Sequence, residues 1–238
     1  MATKKLRIAA IGDLHVQETD HGRYQDLFAE INEQADLLVL CGDLTNLGLP
    51  AEAANLADDL RVCRLPVIGV LGNHDYHSDQ EQSVKQILID AGLHFLEGSH
   101  YELNGVGFAG VKGFAGGFGQ HALGAFGEKL MKAFVQESVN EALLLEHSLQ
   151  ELATKKKVVV LHYSPIPETL AGEAPEVIAF LGSAHLTDTI NRYEVDHVFH
   201  GHAHKGKLEG KTDRGVIVHN CAVEVLAQHH LTHLLYEV

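Results

Sequence analysis

Short, continuous apolar runs recur along the chain and are typical of buried β-strands. Five runs are predicted as strands of a sheet, at residues 6–11, 37–41, 67–71, 158–161 and 195–199. Most of them are separated by segments whose apolar residues recur every three or four positions, which indicates amphipathic helices. This alternation of strands and helices favours a layered α/β fold.

The helical segments are recognised by their apolar faces and by residues that start or end helices. They cover residues 24–31, 51–62, 84–91, 128–153 and 186–193. Pro50 precedes the second helix, and the third is predicted to begin at an N-cap, Ser83, and to end at Gly92. In the long fourth helix, Met131 and Phe134 are predicted to pack into the core.

Shorter strand-like pieces indicate that the sheets are mixed. They cover residues 94–96, 100–103 and 106–111, and residues 207–238 alternate in the manner of antiparallel strands. The chain has 238 residues and shows no linker, repeat or low-complexity tract. A single domain over residues 1–238 is therefore predicted.

Side chains that bind metals stand at the carboxyl end of each of the five predicted strands. They are Asp13 and His15, Asp43, Asn73 with His74 and Asp75, His162, and His202 with His204. Open α/β sheets bind ligands at this edge, and side chains at i and i+2 of extended chain point to the same side. Glycines 12, 42, 72 and 201 are expected to permit the sharp turns that carry these ligands. Each element alone is weak evidence, but the five together predict a metal centre.

The charge balance limits the possible partners. The chain has 18 Lys and Arg against 32 Asp and Glu, a formal net charge of −14. Such a surface repels nucleic acid and anionic membranes, so neither a long nucleic acid nor a membrane is expected as a partner. A small phosphoester substrate remains compatible, because bound metal reverses the local charge.

The cysteines and the amino-terminal segment suggest a location. Cys41, Cys63 and Cys221 form no closely spaced pair and are expected to be thiols of a reducing compartment. The apolar run at 6–11 is too short for the core of a signal peptide or for a membrane span. We therefore expect a cytoplasmic protein, and the sequence leaves its oligomeric state open.

The ordered motifs resemble those of the calcineurin-like metallophosphoesterases. The matching set is Asp13-x-His15, Gly42-Asp43, Gly72-Asn73-His74-Asp75, His162 and Gly201-His202-x-His204. The resemblance implies an α/β fold, a four-layer α/β/β/α sandwich with two mixed sheets and the site at the carboxyl ends of strands. It also implies two divalent metal ions. One would be held by Asp13, His15, Asp43 and His204, and the other by Asp43, Asn73, His162 and His202.

The resemblance also assigns roles around these ions. Asp43 would bridge them, and His74 matches a histidine near the leaving-group oxygen, so Asp43 and His74 are the expected catalytic residues. Asn73, His74 and His202 are expected to contact the substrate. One position departs from the pattern: many members have a second acid where this chain has Asn46. His74 as a general acid and His74 as a hydrogen-bond donor to the phosphoryl oxygen therefore both stay open.

The neutral Asn73 keeps the predicted centre positive. Two divalent ions carry four positive charges, of which Asp13 and Asp43 offset two and a bridging hydroxide offsets one. A carboxylate in place of Asn73 would repel the phosphate that has to bind there. The resemblance implies in-line attack of the metal-bridging hydroxide on phosphorus. Mn, Fe or Zn suits this mixture of ligands.

The leading hypothesis is two-metal-dependent hydrolysis of a small-molecule phosphodiester, because the motifs look like those of bacterial cyclic nucleotide phosphodiesterases. The alternatives are a phosphomonoesterase acting on a small metabolite, a non-catalytic interaction module, and a metal-storage or sensor protein. The glycine-rich segment 113–119 lacks the Gly-Lys-Ser/Thr of a phosphate loop and is expected to be a connector or a lid, with a place beside the substrate pocket left open. His21, His77 and Tyr163 are further candidates for lining that pocket.

Overall fold

The computed structural model describes residues 5–238, and two β-sheets form its centre. The first sheet runs, edge to edge, through β11 (Leu234–Glu237), β1 (Arg7–Ile11), β2 (Leu37–Cys41), β3 (Val67–Val70) and β4 (Leu93–Phe95). The second runs through β5 (His100–Leu103), β6 (Val106–Val111), β7 (Lys156–Leu161), β8 (His197–His200), β10 (Ile217–Asn220) and β9 (Glu209–Lys211). Each sheet combines parallel and antiparallel pairs, which confirms the predicted mixed sheets.

Helices cover the outer face of each sheet. The first sheet carries α1 (Gln25–Gln34), α2 (Pro50–Leu60) and α3 (Glu81–Asp90); the second carries α4 (Lys129–Glu151) and α5 (Ala184–Arg192). Buried side chains of the first three helices join the same apolar cluster as the first sheet, and those of α4 and α5 join a second cluster. Phe108 of β6 and Val160 of β7 belong to the first cluster, because the sheets pack face to face. The order of layers is α/β/β/α, as predicted.

Parallel pairing aligns the carboxyl ends of the strands that precede the metal-type residues. In the first sheet Ile11 pairs with Leu40. In the second sheet Val111 pairs with Leu161, and Val160 with Phe199. The loops after these strands therefore emerge at one edge of each sheet, and the two edges lie next to each other, since Gly12 after β1 bridges Ala222 after β10.

Two predictions of local structure are wrong. Ser83 is not an N-cap: α3 begins at Glu81, and the Ser83 amide already donates to the Gln80 carbonyl. The segment 207–238 is not a purely antiparallel unit, since β10 pairs in parallel with β8 and is followed by the short helix α6 (Val223–Gln228). Apolar alternation fits both kinds of strand, and pairing decided the direction.

The start of α4 departs from its predicted burial. Met131 is 41% exposed and Phe134 is half-buried, so they do not form part of the core. The buried face of the helix starts at Val135 and continues through Leu145 and Leu149. Apolar periodicity alone cannot show at which residue a helix begins to pack against the core.

Two further sequence features can be placed. Cys41 and Cys221 are buried, Cys63 is half-buried, and all three are free thiols. Between residues 5 and 238, no helix combines the length and the apolar character needed to cross a bilayer.

Candidate metal centre

The predicted ligands come together where the loops of the two sheets meet. Three overlapping clusters of potential ligands have donor atoms within 4.8 Å of one another. They are Asp13 with His15 and His204, His15 with Asp43 and His74, and Asp43 with His162 and His202. The ligand side chains that follow strands of the first sheet thus face those that follow strands of the second, although the outermost ligands are nearly two hundred residues apart in the sequence.

The Asp13 carboxylate organises one side of the centre. It is 2% exposed and accepts the backbone N–H of His202 with both oxygens, at 2.9 and 3.0 Å. His204 Nε2 lies 2.9 Å from Asp13 Oδ1. The loop after β8 is therefore fixed by the carboxylate that follows β1.

His162 organises the other side. Its Nδ1 donates to the carbonyl of Cys41 at 2.9 Å, which leaves Nε2 directed toward the centre. Nε2 lies 2.9 Å from Asn73 Oδ1 and 3.3 Å from Asp43 Oδ1. One nitrogen and two oxygen atoms thus converge on one point, where a cation can replace the proton on Nε2.

Asp43 lies between the two sides and is 1% exposed. Its Oδ1 faces His162 at 3.3 Å, and its Oδ2 faces His15 Nε2 at 3.8 Å. Each carboxylate oxygen is thus directed to a different group of ligands. This is the placement that a carboxylate shared by two ions requires.

His15 gives a test of whether a metal fits. Both of its ring nitrogens are buried, and neither finds a hydrogen-bond partner within residues 5–238. A buried polar atom without a partner costs free energy unless another species satisfies it. Because the neighbouring groups are the carboxylates of Asp13 and Asp43, a divalent cation fits this position.

The backbone of the ligands is held in an uncommon conformation. Four of them have positive φ angles: Asp13 (59°), His15 (45°), Asp43 (48°) and His202 (69°). Left-handed backbone costs roughly 1–2 kcal/mol for a residue other than glycine. The fold therefore stores strain at the centre, as functional sites often do.

Three of the four glycines do not have the positive φ of a glycine-specific turn. Only Gly42 has it (83°), so the predicted reason is wrong for Gly12, Gly72 and Gly201. A Cβ atom at Gly72 would collide with the carboxylate of Asp43, and one at Gly201 with that of Asp13. The glycines make room for the two aspartates.

His74 also reaches the centre, and its support differs from the expected carboxylate. Its Nδ1 donates to the backbone carbonyl of Asn46 at 2.7 Å, and its backbone N–H donates to Asp43 Oδ1 at 2.9 Å. Its ring lies edge-on to that of His15, with 4.5 Å between centroids. A neutral carbonyl thus orients the imidazole while stabilising a positive charge less than a carboxylate would.

Asp75 has a structural task that its place in the sequence did not reveal. It is fully buried and accepts the backbone N–H groups of Gly72, Leu44 and Thr45, together with the Thr45 hydroxyl. Burial and the charge of Asp43 raise the pKa of Asp75 to about 6. This carboxylate ties the loop after β2 to the loop after β3 and so holds Asp43 beside Asn73.

The pKa values of the histidines fall into two groups. Burial lowers the pKa of His15, and it lowers that of His202 to about 3, so both imidazoles stay neutral. The hydrogen bond with Asp13 raises the pKa of His204. Burial opposes the protonation of His162, but Asp43 outweighs it and raises the pKa to about 9. Ions ligate neutral imidazole, so metal binding at His162 must displace a proton.

Of the neighbouring residues expected to line the pocket, Tyr163 is in contact with the centre. Its ring centroid lies 4.3 Å from that of His202 and 5.5 Å from that of His162. His21 and His77 are exposed. The segment 113–119 also approaches the site, since Phe114 lies 6.0 Å from Tyr163 between ring centroids.

Comparison with known proteins places this arrangement in a family. The model of the calcineurin-like phosphoesterases matches residues 6–206, which include every ligand described above. The chain belongs to this family. It is accordingly a metal-dependent phosphoesterase, as the resemblance of its motifs predicted. The curated proteins contain no match to this phosphoesterase.

Solved structures share the fold of this phosphoesterase at low sequence identity. A phosphopantetheinyl hydrolase from Mycobacterium tuberculosis has a TM-score of 0.70 and 17% identity, over 100% of this chain and 97% of that one. A Thermus thermophilus protein has a TM-score of 0.59 and 16% identity, with 99% of both chains covered. A putative 5′-nucleotidase from Staphylococcus aureus has a TM-score of 0.58 and 14% identity, over 91% of this chain and 48% of that one.

Proposed function

We propose that this phosphoesterase hydrolyses a small-molecule phosphodiester with two divalent ions, Mn, Fe or Zn. In this proposal Asp13, His15, Asp43 and His204 hold one ion, and Asp43, Asn73, His162 and His202 hold the other. The observation that carries it is the position of Asp43, whose two carboxylate oxygens face His15 and His162, one on each side of the centre.

The ions, when bound, would supply the positive charge that lowers the pKa of a water and stabilises the phosphoryl oxygens. The chain itself positions the ligands and supplies mostly uncharged ones. Asp43 fixes the separation of the two ligand sets, and the hydrogen bonds of Asp75 keep the loop of Asp43 against that of Asn73. Pre-organised ligands of this kind avoid a cost of reorganisation during the reaction.

Asn73 supplies an oxygen ligand without adding a negative charge. Its Oδ1 lies 2.9 Å from His162 Nε2, at the point where the ligands converge. An anionic substrate that enters the centre therefore meets the charges of two carboxylates, Asp13 and Asp43, rather than three. We propose that Asn73 ligates an ion and that its lack of charge allows a phosphate to bind nearby.

His74 is assigned to the substrate rather than to an ion. Its Nδ1–H is engaged by the Asn46 carbonyl, so Nε2 faces the centre and donates to an oxygen of the phosphoester when it too carries a proton. We propose that His74 in this doubly protonated form orients the substrate through that hydrogen bond. Asn73 and His202, which adjoin the same space, complete the proposed contacts with the phosphoryl group.

A diester is favoured over a monoester by the motifs and by charge. The segments Gly72–Asp75 and Gly201–His204 look like those of bacterial cyclic nucleotide phosphodiesterases. A diester also brings one negative charge to an acidic chain of net charge −14, whereas a monoester brings up to two. The three free thiols support a reducing, cytoplasmic location.

Two chromogenic substrates test the proposal. The purified protein, loaded with Mn, is assayed with bis-p-nitrophenyl phosphate and with p-nitrophenyl phosphate, and faster turnover of the diester is expected. Preference for the monoester would replace the diester assignment, and two bound ions without turnover of either substrate would indicate a sensor or storage role. Asp43→Ala should abolish turnover, whereas Asp58→Ala, which removes an exposed carboxylate from α2, should not. An active Asp43→Ala protein would contradict the shared-ligand role.

A further inference from the structure

A row of aromatic rings leads away from the metal centre. It consists of Tyr163, Phe114, Phe134 and Phe180, and we call it the aromatic row. It starts at His202, whose ring centroid lies 4.3 Å from that of Tyr163. The successive centroids are then 6.0, 4.9 and 6.3 Å apart, which are distances of contacting aromatic side chains.

The aromatic row is not explained by the core. Only Tyr163 belongs to either of the buried apolar clusters; Phe114 and Phe134 are half-buried, and Phe180 is 52% exposed. Large exposed apolar side chains beside a polar site cost solubility without contributing to burial. Their placement calls for a contact that the folded chain does not itself provide.

The aromatic row is held close to the reacting groups. The backbone carbonyl of Phe180 lies 3.4 Å from His202 Nε2, so the segment that carries the last ring also touches a proposed ligand. The ring of Tyr163 and the backbone of Phe180 therefore both adjoin the His202 imidazole. A phosphoester held at the ions has its organic substituents within reach of these rings.

The buried side-chain ammonium of Lys112 packs against rings of the row. Lys112 Nζ lies 5.1 Å from the ring centroid of Phe114 and 5.5 Å from those of Tyr163 and Tyr76, within the range of cation–π attraction. Glu141 pairs with Lys112 at 3.5 Å and accepts the backbone N–H of Gly113 at 2.8 Å. Because this charge is paired, the row presents a fixed and electrically neutral aromatic face.

We propose that the aromatic row is a substrate subsite that binds a neutral, planar aromatic group carried by the phosphoester. The proposal rests on the proposed function, because the phosphate must be held by the neighbouring ions. Lys112 already occupies the cation–π position at Phe114 and Tyr163, whereas tilted and stacked rings are favourable contacts for another ring. The ring can belong to a simple aryl group or to a nucleobase.

Binding of phosphonates, which are not hydrolysed as esters, tests the subsite apart from catalysis. The Mn-loaded protein is titrated by calorimetry with methyl-, cyclohexyl- and phenylphosphonate, above the pH at which each becomes a dianion. Phenylphosphonate should bind about tenfold more tightly than methylphosphonate, the factor expected for one stacked ring. Equal affinities for phenylphosphonate and methylphosphonate would overturn the subsite. If cyclohexylphosphonate binds as tightly as phenylphosphonate, the aromatic character of the subsite is overturned.

Variants of Phe180 localise the effect. Phe180→Ala should lose the preference for phenyl over methyl, and Phe180→Tyr, which keeps a ring, should retain it. Leu143→Ala is the matched control, because Leu143 is an apolar side chain as exposed as Phe180 (55% against 52%). It lies on α4, nine residues or about 13.5 Å beyond Phe134. A Phe180→Ala protein that keeps the full preference for phenylphosphonate over methylphosphonate would overturn the proposal, whatever its oligomeric state.

The remaining arms separate the sources of the ring and the possible failures. The 5′-phosphonate analogue of thymidine monophosphate should bind more tightly than methylphosphonate if a nucleobase is the natural occupant. If only phenylphosphonate binds more tightly than methylphosphonate, the natural group is a simple aryl substituent. Failure of every phosphonate and of inorganic phosphate to bind would overturn the proposed function together with the subsite, whereas equal binding of all of them overturns the subsite alone.

Discussion

Replacing Asn73 with aspartate changes one atom group and adds one negative charge at the convergence of the ligands. The amide oxygen lies 2.9 Å from His162 Nε2, so a carboxylate in the same rotamer directs its charge at the ion position. Two opposite effects are expected. The ions should bind more tightly, and a phosphate bound to them should bind more weakly.

The expected size follows from Coulomb's law. Two unit charges about 4 Å apart interact by about 4 kcal/mol at an effective dielectric constant near 20. For each charge on the phosphate this corresponds to a loss of about a thousandfold in affinity, which is an upper bound because solvent and salt screen part of it. A loss of at least tenfold is the minimum consistent with the proposed charge balance.

Calorimetric titration of the Mn-loaded proteins with inorganic phosphate measures the second effect directly. Asn73→Ala is the comparison, because it removes the amide ligand and its contact with the phosphate without adding charge. It should weaken Mn binding, and it should weaken phosphate binding less than Asn73→Asp does. The metal content of each variant is determined before the titration. If Asn73→Asp binds phosphate within a factor of three of the unaltered protein while holding both ions, the electrostatic reason given for Asn73 is wrong.

Three further predictions address stability. Asp75→Ala should lower the free energy of unfolding, measured with urea in the presence of a chelator, by at least about 3 kcal/mol. Three buried N–H groups lose their acceptor, and each costs about 1–3 kcal/mol. Asp58→Ala is the control, and an equal effect of both variants would contradict the role of Asp75 in joining the two loops. Burial lowers the pKa of His197 to about 3, so the unfolded chain takes up this proton below pH 6.5 while the folded protein does not, and stability should fall by about 1.4 kcal/mol per pH unit from pH 6.5 toward 3. His197→Gln should flatten that dependence and the exposed His147→Gln should not, whereas an unchanged slope in His197→Gln would refute the assignment. Removing metal with a chelator should lower the melting temperature, since an ion at a hundred times its Kd contributes about 2.7 kcal/mol, and Asp43→Ala should show no such difference.

The sequence was sufficient for the features that depend on local pattern. The strands β2, β5 and β6 begin and end as predicted, and β1, β3, β4, β7 and β8 differ by one or two residues. The strands β9, β10 and β11 were predicted only as alternation within residues 207–238. The potential ligands follow strand ends, so predicting the parallel strands also predicted that these side chains share one edge. Their order identified the family before any contact was known.

Other features depend on which segments meet in space. The sequence showed that Asn46 replaces an acid, but only the fold shows that its backbone carbonyl takes over the orientation of His74. The same holds for Asp75, whose three backbone donors lie three or about thirty residues away. Backbone groups are alike at every residue, so no sequence pattern announces such contacts.

The aromatic row shows the same division for side chains. The apolar character of Phe134 was correctly linked to a helix, but the prediction of core packing failed because the buried face of α4 begins only at Val135. Phe114 and Phe180 come from separate loops, and only tertiary packing brings them to Phe134 and Tyr163. Sequence by itself determined the strands, the ligands and the family, because periodicity and residue type are local. The tertiary structure alone decided the support of His74, the strained ligand backbones and the aromatic face, because these arise from contacts between distant segments.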